Sequence, residues 1–205
     1  MSNPITSTLS LAVASSVIAL ACAPVDAAII VVSNSMVFDS IVASMNGSTL
    51  HENFASYSGY YASGLAGGTG DSSWTAAASG DLYSDGGIMS TNTAIQPMTF
   101  TFASDNVFAI GGNFFNTNTD FSMGGGFVSV AVSGVSYVLS SAAVGNFAGF
   151  ISTSGAIHSI TITPFGAGAA GTYASTDHVQ VGVIPSPAVL ALGALAGMVS
   201  RRRRS

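Results

Sequence analysis

Short runs that alternate apolar and polar residues, broken by glycine, recur between residues 98 and 163. Met98-Thr99-Phe100-Thr101-Phe102 alternates strictly, and so does His158-Ser159-Ile160-Thr161-Ile162-Thr163. A period of two puts one face of an extended strand in a core and the other in water. Val128-Ser129-Val130-Ala131-Val132 and Val135-Ser136-Tyr137-Val138-Leu139 are separated only by Ser133-Gly134. A link of two residues containing glycine predicts a β-hairpin, with Ser129 and Ser136 facing water. Further strands are expected over 36–43, 56–61, 107–115, 147–152 and 179–182. Glycines at 64–70, 86–87 and 124–126 supply turns, and the stretch 64–87 reads as a long loop. Many short strands with no helical period between them predict an all-β fold, a β-sandwich or jelly roll.

Charge narrows the partners. Only 6% of the 205 residues are charged, against about a quarter in ordinary domains. Arg201, Arg202, Arg203 and Arg204 are the only basic residues besides histidine, and there is no lysine. A domain without cations cannot neutralise phosphates, so nucleic acid is excluded as a partner. A mean hydropathy of +0.56 argues against disorder, which goes with low hydrophobicity. The surface is expected to offer Ser, Thr, Asn and Gly to water in place of charges.

Both ends read as targeting segments, leaving about 155 residues for one domain, 28–183. Residues 9–23 read LSLAVASSVIALACA, an apolar run of signal-peptide length and too short for a transmembrane span of about 20 residues. Val25 and Ala27 are the small residues a signal peptidase reads, which places cleavage after Ala27, with Ala28 as the neighbouring alternative. Residues 1–27 are therefore expected to be a removable signal helix. Cys22, the only cysteine, falls inside it, so the mature domain is expected to hold no disulfide and no cysteine metal site.

At the other end Pro185-Ser186-Pro187 precedes the apolar run VLALGALAGMVS, and four arginines follow. The prolines end the preceding strand and fix an extended stretch open to a protease. Positive charge directly after an apolar run holds that end on the cytoplasmic side of a membrane. Gly193, Ala194, Ala196 and Gly197 suit recognition of a short helix by a partner inside the bilayer.

This order, over residues 184–205, resembles the PEP-CTERM sorting signal of exported bacterial surface proteins, with Ser186 where that family usually has Glu. The resemblance implies transient anchoring in the inner membrane through a short C-terminal helix. It also implies trimming near Pro185, Ser186 and Pro187 by an exosortase-like enzyme, then release to the cell surface or extracellular matrix. A second resemblance covers residues 98–182. Phe100-Thr101-Phe102, Ala109 to Phe115 (AIGGNFF), Gly149-Phe150-Ile151-Ser152 and Ile160 to Pro164 (ITITP) look like the β-sandwich domain often found upstream of such signals. On that likeness Val37-Phe38-Asp39 forms the opening strand.

No catalytic motif stands out. His51-Glu52 lacks the second histidine of a helix-borne zinc pair, and His158 has the parity of Ile160 and Ile162 and reads as a strand-end or core residue. There is no G-x-S-x-G elbow, so none of the serines is marked as a nucleophile. Asp71, Asp81 and Asp85 are clustered acids in glycine-rich surroundings, the only basis for a secreted hydrolase. Asp39, on the expected first strand, and Asp177, just before the expected last one, are a candidate pair for Ca2+, which takes hard oxygen ligands. Trp74, Tyr57, Tyr60, Tyr61 and Tyr83 lie outside the strict alternation; such rings either stack on sugars or fill sandwich edges. The leading expectation is a non-enzymatic exported surface or matrix protein, and the alternative is a carbohydrate-binding module for exopolysaccharide.

Overall fold

A computed structural model describes residues 28–141 and 146–184. The expected signal segment with Val25 and Ala27, and the tail with Pro185, Ser186, Pro187 and Arg201 to Arg204, lie outside the described residues. The strands are β1 (Ile29–Val32), β2 (Ser48–Glu52), β3 (Gly59–Tyr61), β4 (Leu65–Gly67), β5 (Trp74–Ala78), β6 (Leu82–Asp85) and β7 (Ile88–Thr91). They continue with β8 (Met98–Phe102), β9 (Val107–Thr117), β10 (Phe127–Val132), β11 (Val135–Ser140), β12 (Phe147–Ser152), β13 (Ser159–Phe165) and β14 (Tyr173–Val183). One helix, α1 (Ser35–Ser44), follows β1.

The strands make two antiparallel sheets. The larger runs β1-β12-β9-β14-β7-β6-β3, with β2 also pairing β14; the smaller runs β11-β10-β13-β8-β5-β4. Side chains from both sheets join one buried cluster that includes Phe100, Ile160, Val130, Leu82, Phe114 and Phe150. The chain is an all-β sandwich. Its smaller sheet has the strict alternation read from the sequence: Val128, Val130 and Val132 are buried while Ser129 and Ala131 are half-exposed. The hairpin closes in the expected register, Val132 opposite Val135.

Under α1 the larger sheet is covered on both faces, and β12 records this. Ala148 and Phe150 enter the sandwich core, whereas Phe147 and Ile151 join a second cluster with Phe38, Val42 and Ala109. That second cluster lies under α1. A strand buried on both faces carries apolar residues at successive positions rather than alternate ones. Gly149 and Gly182 let the helix sit close: a Cβ on Gly149 would lie 2.5 Å from Phe38 Cδ2, and one on Gly182 3.0 Å from Val42 Cγ2.

Two expectations are corrected here. Residues 36–43 are not a strand and Val37-Phe38-Asp39 does not open the sandwich; β1 does, and these residues belong to α1. Asn34 caps the helix, its side chain accepting from the Val37 amide at 3.1 Å. Phe38, Ile41, Val42 and Met45 then meet the sheet, the i, i+3, i+4, i+7 spacing of a helix face. Asn46, at φ 58°, turns the chain out at the C-terminal end. The stretch 64–87 is not a long loop but holds β4, a 3-10 turn (Gly70–Ser72), β5 and β6. Trp74 and Ala76 of β5 point inward while Thr75 and Ala77 stay exposed.

Candidate functional site

Beyond α1, the outer face of the larger sheet carries polar residues, with Ser90, Thr117 and Ser175 buried on it. Tyr83 of β6 lies opposite Ser90 of β7, and Ser90 opposite Ser175 of β14. Tyr173 stands beside Thr117 at the end of β9. Past Thr117 the chain makes a compact turn that rises over this face. The Asp120 carboxylate accepts from the Ser122 amide at 3.0 Å and from the Ser122 hydroxyl at 2.6 Å. Asn118 closes the turn, its amide nitrogen donating to Ser122 Oγ at 3.0 Å. The base of the turn is pinned by Asn116, whose buried side chain donates to the Gly125 carbonyl at 2.8 Å.

This turn places Phe121 against Tyr83, with ring centroids 5.7 Å apart at 35°. Phe121 has φ 60°, a left-handed conformation that costs a bulky residue on the order of 1–3 kcal/mol. Between the turn and the sheet runs a cleft of about 470 Å³, lined by Tyr83, Tyr173 and Phe121 with Asp85, Asn92 and Asp120. The Ser122 hydrogen bonds hold the Asp120 carboxyl below its ordinary range. The cleft thus combines ring faces, an amide and carboxylate acceptors, and no cation. It can stack on an apolar ring face and accept hydrogen bonds from hydroxyls.

The sequence-derived candidates are distributed differently. Asp39 lies on α1, not on a strand, with its carboxylate 3.7 Å from His51 Nε2. Asp177 lies inside β14, not before it, at an irregularity between Thr176 and Val179. It accepts from the Asn113 amide at 2.8 Å and sits 3.4 Å from His178 Nδ1. Ca2+ takes about six to eight oxygen ligands, and these two carboxylates keep separate partners. Among the described residues no group of three or more His, Cys, Asp or Glu side chains is placed to hold a metal ion. Ser35 and His51 both bond the Gln180 amide nitrogen, at 2.7 and 3.2 Å, rather than each other.

His158 is exposed beside Asp105, so its shared parity with Ile160 does not take it into the core. Asp71 accepts from Ser104 and Asn106 at 2.9 and 3.0 Å, and Asp81 accepts from the Tyr60 hydroxyl. That bond raises the Tyr60 pKa above its usual value. Of the three clustered acids only Asp85 reaches the cleft. Trp74 is 3% exposed and packs with Phe54, Tyr57 and Phe100; it is a core residue. Only Tyr83, among the five aromatics singled out in the sequence, lines the cleft. Phe121, Asn92, Asp120 and Tyr173 were not legible as site residues, because only strand register and the 118–122 turn bring them together.

The smaller sheet leaves its outer face accessible, with Thr75 and Thr101 exposed. Thr75 lies opposite Thr101, Thr99 opposite Thr161, and Thr163 opposite Ser129. Thr99 and Thr161 hydroxyls meet at 3.1 Å. None of the six strands of this sheet contains a charged residue.

No protein-family model matches the chain, and neither the curated proteins nor the solved structures contain a match to it.

Proposed function

We propose that this chain is an exported cell-surface or extracellular-matrix protein whose β-sandwich is a non-catalytic module. The observation that carries the reading is the placement of charge. All four arginines lie at 201–204, directly after an apolar run with Pro185 and Pro187 before it, and no lysine or arginine lies anywhere else. A signal peptidase acting after Ala27 and an exosortase-like enzyme acting near Pro185, Ser186 and Pro187 are the processing partners. The inner membrane holds the tail between the two cuts. The smaller sheet offers the exposed hydroxyls of Thr75 and Thr101 and no charge on its strands, a surface suited to hydrogen-bonding partners outside the cell.

The tail carries the test. Its apolar run is built largely from Ala, Gly, Leu and Val, and each buried CH2 contributes only about 0.8 kcal/mol. Arginine at the bilayer centre costs about 3 kcal/mol on insertion scales, so four arginines fix which end stays inside. Replacing Arg201, Arg202, Arg203 and Arg204 with neutral residues leaves the sandwich folded and disrupts sorting. Cell fractionation with C-terminal mass analysis reads the outcome. A neutral-tail variant still trimmed near Pro187 and reaching the surface in wild-type amounts overturns this reading.

A further inference from the structure

We infer that the cleft between the 118–122 turn and the outer face of β6, β7 and β14 binds a neutral pyranose unit of a polysaccharide. The inference rests on the exported-protein reading, since polysaccharide reaches this domain only outside the cell.

Three features converge on that ligand class. The cleft, about 470 Å³, falls within the roughly 300–1,000 Å³ typical of small-ligand sites. Its apolar elements are ring faces: Tyr83 and Phe121 lie 5.7 Å apart and inclined at 35°, and Tyr173 lines the same space. A pyranose has an apolar C–H face that such rings cover and a rim of hydroxyls that needs hydrogen-bond partners. Asp85 and Asn92, both exposed in the cleft, supply carboxylate and amide oxygens to accept from those hydroxyls.

The charge of the cleft selects within the class. Asp85 and Asp120 are its ionisable carboxylates, and the described domain holds no lysine or arginine to offset them. A uronate, sulfate or phosphate ester entering here meets like charge. A nucleotide is excluded on the same ground. The turn is prepared in advance: its Asp120–Ser122 and Asn118–Ser122 bonds hold Phe121 in a left-handed conformation before any ligand arrives. Binding therefore spends little on ordering the loop.

The experiment is isothermal titration calorimetry on the full chain, kept soluble in a detergent without a sugar headgroup. Arg201, Arg202, Arg203 and Arg204 are replaced by neutral residues throughout, so that the tail offers the anionic probe no cation. The probes are cellohexaose, xylohexaose and mannohexaose, with hexagalacturonate as the anionic comparison. At least one neutral hexaose binds saturably, and hexagalacturonate binds at least about tenfold more weakly. Tyr83→Ala weakens binding by about tenfold, the loss expected for one ring-on-sugar contact. Asp85→Ala, at an exposed position, weakens it without shifting the melting temperature, so a folding failure of the tyrosine variant does not decide the matter. Thr101→Val, on the other sheet, leaves binding unchanged. The inference is overturned if no neutral hexaose binds, if hexagalacturonate binds as well as the neutral probes, or if Asp85→Ala binds like the chain that keeps Asp85. A failure of export in the fractionation experiment leaves these titrations unaffected, so the two readings fail separately.

Discussion

Phe38 of α1 and Phe147 of β12 meet edge to face, ring centroids 5.8 Å apart at 71°, over a glycine that makes room for both. A Cβ on Gly149 would stand 2.5 Å from Phe38 Cδ2, 2.8 Å from Val32 Cγ2 and 3.0 Å from Phe147 Cε1. The helix is therefore seated by the missing side chain as much as by the rings it buries.

Gly149→Ala should destabilise the fold by about 1–3 kcal/mol, the usual cost of overpacking a close contact. Phe38→Ala alone should cost about 3–5 kcal/mol, because the ring is wholly buried. Combined, the two should cost clearly less than their sum, since removing the ring relieves the clash. Urea unfolding of the four proteins in the cycle measures this. Strict additivity would mean that α1 does not rest on Gly149 as described.

The same contact explains what the sequence concealed. Strands whose one face is wet were legible: Met98–Phe102 and the Phe127–Val132/Val135–Ser140 hairpin follow the pattern of two closely. The stretch Ser35–Ser44 reads SMVFDSIVAS, and its Val and Ile favour strands on composition. The opposing signals were local and weaker, namely the Asn34 cap, the Asn46-Gly47 exit and the 38/41/42/45 spacing. β5 was hidden among glycines and alanines, because a strand that places Ala76 between Trp74 and Ala78 has little apolar contrast. The cleft was less legible still. Tyr83, Ser90 and Ser175 become neighbours only through two strand pairings, and no motif joins residues so far apart in the chain.

Alkaline stability should depend on Tyr57. Burial pushes its hydroxyl pKa up, and the Glu52 carboxylate adds to this. A phenol whose native pKa lies above its unfolded value contributes stability that is complete below about pH 10 and is lost as pH rises through the native value. Melting curves from pH 8 to 11.5 should fall more steeply for the unmodified chain than for Tyr57→Phe. Parallel curves would remove Tyr57 as a source of the alkaline limb.

Asn116 fastens the end of β9 to the β10 entry. Its side-chain amide donates to the carbonyls of Gly125 at 2.8 Å and Phe127 at 3.3 Å, and its backbone amide donates to Ser141 Oγ at 2.7 Å. Asn116→Ala removes the two part-buried side-chain hydrogen bonds, each worth about 0.5–1.5 kcal/mol. Hydrogen exchange should then rise in residues 117–127 before it rises in β13 at the centre of the smaller sheet. Equal protection in both proteins would show that other bonds hold the turn.

The turn itself should respond to acid through Asp120. Its carboxylate accepts from the Ser122 hydroxyl and amide, and these bonds hold its pKa below the ordinary value. For a lowered carboxyl pKa the sign is fixed: the contribution is present above the unfolded value and disappears as pH falls through the native one. Because Asp120 is fully exposed, the effect belongs to the local order of residues 118–122 and not to global stability. Amide relaxation measured by NMR should report a rigid turn at pH 7 that gains fast motion as the pH drops below the ordinary carboxyl range. The Tyr83–Phe121 ring contact should weaken with it. Asp120→Asn keeps an acceptor oxygen for the Ser122 amide but has no proton to gain, so its turn should be slightly looser at pH 7 and insensitive to acid. Asp120→Ala, which removes the acceptor, should be mobile throughout. If the unmodified turn stays as rigid as at pH 7 down to pH 2, the carboxylate is not what holds Phe121 over the cleft.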